Sequence, residues 1–313
     1  MKRLYLHVGS WKTGTTTIQE TLFYNREVLS DHGVFYPAIS AHHVFLTYLF
    51  NSNGKNHIAS QLEGKDFDFL LNRAKTIWNN IVKTDKDVML SSEFLLGLSV
   101  DDIENLKKEL DSLFDSVKVI IYLREPVSHS ISAVNEQVKC GHNTLDEAYE
   151  HLSNPQEINQ AINWVRIFGG DVVIREFSKK SFFKNDLLAD FLNCCDIDYL
   201  DLEIKQESNS SLSYEALMIA DKMNKLSPGL SMPRLKSGIL NNIVGRKFTG
   251  TKEFRSLVLS NVESSLEELK NLTGFYFHEK YELPLDENKH GYFSDDSINS
   301  LAKILNSVIN KQG

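Results

Sequence analysis

The sequence has few cysteines, no excess of basic residues and no long apolar run. Its three cysteines, Cys140, Cys194 and Cys195, form no Cys-x-x-Cys pair, so we expect them to pack in the core of a protein kept in a reducing compartment. The net charge of -8 argues against a nucleic-acid coat or a polybasic membrane anchor, because both need an excess of Lys and Arg. Any anionic ligand must therefore be met by local positive groups.

Membrane insertion and secretion are not indicated either. No stretch approaches the roughly 18 apolar residues of a membrane helix. Lys2 and Arg3 precede only a few apolar residues before Ser10 and Lys12, which is too short for the apolar region of a signal peptide. With 42% apolar and 24% charged residues, the chain is expected to be a globular, cytoplasmic protein with no transmembrane segment.

Strand and helix patterns alternate along the first two thirds of the chain, as they do in a parallel sheet flanked by helices. Strands are predicted at 4–8, 87–91, 117–123 and 171–175, with a short extended piece at 34–37. Helices are predicted near 15–30, 66–83, 101–113, 126–140, 157–168, 183–194, 213–225, 252–272 and 295–310. We expect one domain over 1–313 with a three-layer α/β core over 1–195, a mostly helical part over 196–313, and a lid loop at 228–250.

The first predicted strand runs into a glycine loop and then a helix. Residues 9–16 read Gly-x-x-Lys-x-Gly-Thr-Thr, and such a unit directs backbone N–H groups and a helix N-terminus at one point, which favours an anion. Lys12 adds a positive charge, and Thr15, Thr16 and Thr17 add hydroxyls. The Walker pattern instead has its lysine after the second glycine. The alternative is a tight turn with a helix cap and no ligand.

A second segment ends at the same predicted sheet edge. Residues 117–123 are apolar and β-branched, as in a strand buried on both faces, and Pro126 suits the first turn of a helix. Arg124 therefore follows a central strand, where ligands bind in open α/β sheets. Its guanidinium can make paired bonds to a phosphate. Alternatively, Arg124 is a surface ion-pair residue.

Together these two segments resemble sulfotransferases that use 3′-phosphoadenosine 5′-phosphosulfate (PAPS), which have a P-loop-type fold. The resemblance implies that Lys12 holds the 5′-phosphosulfate, and that Arg124 and Ser132, eight residues later, hold the 3′-phosphate. The 5′-phosphate is then bound by the loop residues Gly9, Ser10, Thr13, Gly14, Thr15, Thr16 and Thr17. It implies no metal, since the protein's own cations suffice.

Transfer of a sulfuryl group to a hydroxyl requires a base that accepts the proton of that hydroxyl. Several carbohydrate sulfotransferases use a glutamate, and Glu93 follows the strand 87–91; it is alternatively a cap or a partner of Lys12 or Arg124. His42 and His43 resemble the acceptor-side segment of bacterial members and are the rival bases. A metal site is not indicated at these histidines, which lack companions at ligand spacing.

Fainter similarities lie downstream. Residues 245–248 contain Arg246 and Lys247, which we expect to contact phosphate or substrate unless they form a solvated basic loop. The turn 208–213 resembles one that precedes a late helix in bacterial members, with Ser213 as the helix cap.

The expected function is transfer of a sulfuryl group from PAPS to a hydroxyl of a carbohydrate or glycolipid acceptor, in a bacterial protein. Two alternatives stay open. One is a kinase that uses a nucleoside triphosphate and Mg²⁺, and the other is a nucleotide-binding protein without catalysis. The sequence gives neither the acceptor's identity nor the oligomeric state.

Overall fold

The computed structural model describes residues 1–198, 202–204, 211–228, 238–281 and 295–310. The chain divides into two compact units. The first unit comprises Met1–Arg124, Gln156–Glu207 and Ser265–His278, and the second comprises Glu125–Pro155, Ser208–Ser264 and Glu279–Gly313. The units therefore interleave along the sequence, and each is described by itself.

The first unit contains a parallel sheet of five strands. They are β1 (Arg3–Val8), β2 (Val34–Phe35), β3 (Asp87–Ser92), β4 (Ser116–Leu123) and β5 (Val172–Glu176). The strands pair in the order β2-β3-β1-β4-β5, and every pair is parallel. This architecture confirms the predicted α/β fold with a central parallel sheet flanked by helices. The strands are apolar because both faces of the sheet are covered.

Helices connect the strands and form the second unit. In chain order they are α1 (Thr15–Tyr24), α2 (Arg26–Asp31), α3 (Phe45–Phe50), α4 (Ile58–Glu63), α5 (Phe67–Ile81), α6 (Val100–Leu113), α7 (Pro126–Cys140), α8 (Leu145–Leu152), α9 (Glu157–Phe168), α10 (Leu187–Cys194), α11 (Tyr214–Leu226), α12 (Lys252–Thr273) and α13 (Asp295–Asn310).

The sheet of the first unit has a helical layer on each face. On one face, α1 and α10 pack on alternate strand residues, among them Tyr5, Met89 and Tyr122. On the other face, α6 and α9 contact β4. The alternation follows from the two-residue period of a strand, which sends neighbouring side chains to opposite faces.

The second unit is helical. Its core joins apolar side chains of α7, α8, α11, α12 and α13, including Val134, Leu217 and Val258. Arg246 lies in this unit, where its backbone carbonyl accepts a hydrogen bond from Tyr214 N at 2.7 Å. The segment around residue 246 is thereby attached to the start of α11.

Most predicted elements are confirmed, with local differences. The helix predicted near 15–30 is broken at Asn25, whose side-chain amide donates to Thr21 O at 2.7 Å, and asparagine competes for backbone groups in this way. The patterns did not indicate α3, α4 or α8. Residues 208–210 of the predicted turn and 229–237 of the predicted lid lie outside the described residues.

The strand order places β1 at the centre of the sheet. After β1 the chain forms β2 and β3 on one side, then crosses to β4 on the other side. Such a reversal is where open α/β sheets bind ligands, beyond the carboxyl ends of the strands. The segments that follow Val8, Ser92 and Leu123 therefore meet at one edge.

Candidate active site

The loop after β1 is held to the neighbouring strand and to itself. Gly9 N donates to Ser92 O at 3.0 Å, which continues the β1–β3 ladder past Val8. The hydroxyls of Thr13 and Thr15 donate to Ser10 O at 2.7 and 3.1 Å. Those two hydroxyl protons therefore shape the loop. Thr16 and Thr17 are half-buried at the start of α1.

Two glycines are required by close packing. A Cβ on Gly9 would lie 2.7 Å from Thr15 Cγ2 and 3.2 Å from Glu93 Cγ. Gly14 has a φ of +70°, and a Cβ there would lie 2.6 Å from Leu187 Cδ2. Side chains at these positions would force the loop away from the sheet edge, since a left-handed backbone and close approach both favour glycine.

The N-terminus of α1 suits an anion. Gly14 is the N-cap, and within the described part of the chain no side chain makes a capping hydrogen bond there. The first N–H groups of a helix have no partner inside it, so those of Thr15 to Thr17 remain for a ligand. At α7, in contrast, Glu125 accepts from Val127 N and Ser128 N.

Lys12 occupies a strained position in the loop. Its φ is +62°, a left-handed conformation that costs a non-glycine residue about 1–2 kcal/mol. Such strain is found at functional sites where the surrounding structure enforces it. The side chain is half-buried, so the loop holds an ammonium group at the edge of the sheet.

Arg124 reaches the same loop from β4. Its Nη1 lies 3.5 Å from the backbone oxygen of Lys12, at the outer limit of a hydrogen bond. The structure therefore brings the Arg124 guanidinium to the backbone of the loop that carries Lys12. Ser132 is half-buried on α7 in the second unit, and its pairing with Arg124 stays a prediction.

Glu93 follows β3 and stands over the start of the loop, as its contact with the Cβ position of Gly9 indicates. Burial raises the pKa of its carboxyl above the ordinary value, while the nearby charges of His42 and Lys12 oppose part of that rise. A carboxylate with a raised pKa is a better proton acceptor. His42 and Lys12 thus both act electrostatically on Glu93 at this edge.

His43 is part of the framework. Its backbone N donates to Ser91 O at 3.0 Å, and its ring Nδ1 accepts from Ser91 N at 3.0 Å. Because Nδ1 accepts, Nε2 carries the proton, and it lies 3.5 Å from Pro37 O. Burial lowers the pKa of His43 to about 3. His42, next to it, is exposed.

A buried polar cluster that sequence patterns do not indicate lies beneath the site. His7 Nδ1 lies 2.8 Å from Ser91 Oγ, which accepts from Gln19 Nε2 at 3.0 Å. At the edge itself, the buried hydroxyls of Ser10 and Ser92 have no hydrogen-bond partner among the described residues. Buried hydroxyls without partners are costly, and an anion at this edge fits them. Spacing alone could not reveal either feature.

The two downstream basic residues lie in the second unit. Arg246 Nε donates to Glu215 Oε1 at 2.8 Å, so its charge is neutralised within that unit. The Lys247 ammonium lies 6.0 Å from the centre of the Tyr281 ring. Their expected phosphate or substrate contacts stay predictions.

Among the described residues, no three His, Cys, Asp or Glu side chains come together as a metal site would require. None of the helices that the structure describes has both the length and the apolar composition to cross a bilayer.

Comparison with known proteins finds solved structures that are similar to this chain, of which two are described here. The chain is similar to the sulfotransferase domain from the curacin biosynthetic pathway, at 11% identity and a TM-score of 0.40, with 84% of this chain and 98% of that chain covered. It is also similar to a retinol dehydratase in complex with androsterone and the inactive cofactor PAP, at 12% identity and a TM-score of 0.38, with 89% and 84% covered. No family model and no curated protein matches. Function must therefore be inferred from the side chains at the sheet edge.

Proposed function

We propose that the chain transfers a sulfuryl group from PAPS to a hydroxyl acceptor. The observation that carries the proposal is the approach of Arg124 Nη1 to the Lys12 carbonyl, because it places a guanidinium beside the lysine loop at the end of β1. A doubly phosphorylated adenosine needs cations at two separate positions, and these two residues offer them.

The chain's residues take distinct roles in this proposal. The free N–H groups at the start of α1, together with Gly9, Ser10 and Thr13 to Thr17, bind the 5′-phosphate. Arg124 binds the 3′-phosphate through paired charged hydrogen bonds, with Ser132 as a second contact. Arg246 and Lys247 would contact the phosphate or the substrate only from the periphery, since Arg246 already pairs with Glu215.

The reaction is an in-line displacement. The acceptor oxygen bonds to sulfur as the bond between sulfur and the 5′-phosphate oxygen breaks, and the electron pair stays on the phosphate. Lys12 stabilises that developing charge, which is largest in the transition state. Glu93 accepts the acceptor's proton. The products are a sulfate ester and 3′,5′-bisphosphoadenosine.

Glu93 is a better candidate base than either histidine. His43 is buried with its Nδ1 committed to Ser91 N, whereas Glu93 lies within electrostatic reach of Lys12. His42 is assigned to the acceptor side. We further propose, on the resemblance, a carbohydrate or glycolipid acceptor and a cytoplasmic, bacterial protein.

Calorimetry with two nucleotides tests the proposal. We expect 3′,5′-bisphosphoadenosine to bind with equal affinity with and without Mg²⁺, and ATP to bind more weakly. Preference for ATP together with Mg²⁺ would replace the proposal by a kinase. Binding of neither nucleotide would remove both enzymes.

A further inference from the structure

A cavity of about 110 Å³ lies in the first unit, beside the residues that follow β2. Its buried lining is apolar and comes from α3 and α5: Phe45, Tyr48, Leu70 and Ala74. An apolar cavity of roughly 150 Å³ in another protein takes up benzene. This cavity is smaller, and its lining suits the end of one compact apolar group.

The rim of the cavity is polar. His42, Glu63 and Arg73 contribute to the lining and are exposed. A ligand whose apolar end enters the cavity can thus keep a polar end at the rim. Apolar walls with a few polar groups are typical of small-molecule sites.

One of the lining residues, Tyr48, carries a buried hydroxyl without a hydrogen-bond partner in the described chain. Tyr48 is 6% exposed, and its hydroxyl has no hydrogen-bond partner among the described residues. The neighbouring Tyr36 hydroxyl, in contrast, donates to Ala41 O at 2.7 Å. Leaving a buried hydroxyl unpaired is costly, and the Tyr48 side chain is among those that line the cavity.

The cavity adjoins the candidate base. His43 pairs with Ser91 through two hydrogen bonds of 3.0 Å, which brings the segment carrying His42 to the end of β3. Glu93 lies two residues beyond Ser91. His42 is therefore both a rim residue of the cavity and a neighbour of Glu93.

We propose that this cavity binds a compact apolar group of the acceptor, and that the substrates are hydroxyl compounds that carry such a group, not bare sugars. Its role as an acceptor site rests on the proposed function, while its ability to bind a ligand does not. An aryl glycoside or the apolar part of a glycolipid meets the requirement. We assign the Tyr48 hydroxyl, which is closed to solvent in this structure, as the polar partner of the ligand once the lining side chains shift to admit it.

Binding of 4-fluorophenol, followed by fluorine NMR, tests the cavity directly. We expect the wild type to bind the probe and Tyr48→Phe to bind it about five-fold more weakly, as loss of one hydrogen bond predicts. Removing an unpaired hydroxyl should not lower the melting temperature, so the loss of affinity cannot be attributed to unfolding. Tyr5→Phe is the matched control, because its hydroxyl is also buried and without a partner in the described chain but does not line the cavity.

A second variant fills the space. Ala74→Leu adds volume to the buried lining and should abolish binding of 4-fluorophenol while 3′,5′-bisphosphoadenosine binds as before. Equal probe affinity in the wild type, Tyr48→Phe and Ala74→Leu would overturn the proposal. So would a wild type that does not bind the probe.

Turnover separates this inference from the proposed function. With PAPS as donor, we expect kcat/KM to be at least ten-fold higher for phenyl β-galactoside than for galactose, and Ala74→Leu to remove the difference. Equal values for the two sugars would overturn the acceptor role of the cavity, even if the probe binds. Absence of turnover together with absence of bisphosphate binding would instead overturn the proposed function and leave the ligand site standing.

Discussion

Arg124 Nη1 lies 3.5 Å from the backbone oxygen of Lys12, so a guanidinium on the end of β4 borders the loop on the end of β1. The two residues are 112 positions apart in the sequence, and the β1–β4 pairing brings them together. This proximity is what the proposed function requires of the sheet edge.

Substitution of Arg124 should weaken nucleotide binding. We expect Arg124→Ala to lower the affinity for 3′,5′-bisphosphoadenosine about 10- to 100-fold, the usual effect of losing a hydrogen bond to a charged group. Arg124→Lys should recover only part of it, because an ammonium lacks the paired donors of a guanidinium. Calorimetry measures both, with adenosine 5′-phosphate as a control ligand whose affinity should change little. Equal losses for the two nucleotides would contradict the 3′-phosphate assignment.

Lys12 should be essential for turnover and dispensable for folding. We expect Lys12→Ala and Lys12→Gly each to lower kcat about 100- to 1,000-fold, as loss of one oxyanion donor does. Because Lys12 has a φ of +62°, glycine relieves the strain that alanine keeps. The Gly variant should therefore melt at a higher temperature than the Ala variant. A Lys12→Ala enzyme with the wild-type rate would refute the assignment.

Glu93 should lower the stability of the folded protein at neutral pH while supporting turnover. Its pKa in the folded protein is raised by burial, so the folded state favours the protonated form and stability declines as the pH rises through that pKa. Glu93→Gln should therefore raise the melting temperature at neutral pH, yet lower kcat about 100- to 10,000-fold as loss of a general base does.

Two measurements check Glu93. The acid limb of the wild-type kcat/KM profile should have its midpoint above the ordinary glutamate value of 4.5, and the limb should vanish in Glu93→Gln. The exposed Glu104→Gln variant is the control and should keep both the limb and the rate. Destabilisation of Glu93→Gln at neutral pH would show that the carboxylate makes a favourable contact instead.

The buried histidines should make the fold sensitive to acid. Burial lowers the pKa of His7 and of His43 to about 3, whereas an unfolded histidine has a pKa of about 6.5. The unfolded chain therefore binds more protons between these values, and stability falls as the pH drops below the unfolded pKa. Between pH 7 and pH 5 each histidine should remove about 2 kcal/mol from the free energy of unfolding.

Denaturant unfolding at the two pH values measures this loss. His7→Asn should show a loss smaller by the contribution of one histidine, whatever its absolute stability, because only His43 is then left of the pair. An unchanged pH dependence in His7→Asn would mean that other groups control acid unfolding.

The sequence predicted the sheet edge better than it predicted the residues around it. Apolar runs of five to seven residues marked the strands at 4–8 and 117–123 because strands covered on both faces contain little else, and the glycine loop and Arg124 then fall at their carboxyl ends. Short α3 and α4 were not predicted, since a six-residue helix spans less than two turns and leaves too little periodic signal. The cavity they help to form depends on tertiary packing.

The difference in burial between His42 and His43 also could not be predicted from the sequence. Adjacent residues point in different directions, but which one enters the core depends on the pairing of residue 43 with Ser91. The Tyr48 hydroxyl without a partner in the described chain also could not be predicted, because the absence of a hydrogen bond depends on how the chain packs.

The hydrogen bond from Gly9 N to Ser92 O couples two chemical tasks mechanically. The loop with Lys12, which we propose neutralises the leaving group, follows Gly9, and Glu93 follows Ser92. Neither segment can therefore shift along the sheet without moving the other. Engineers who wish to change the acceptor of this protein should consequently redesign α3 and α5, and leave the ends of β1 and β3 untouched.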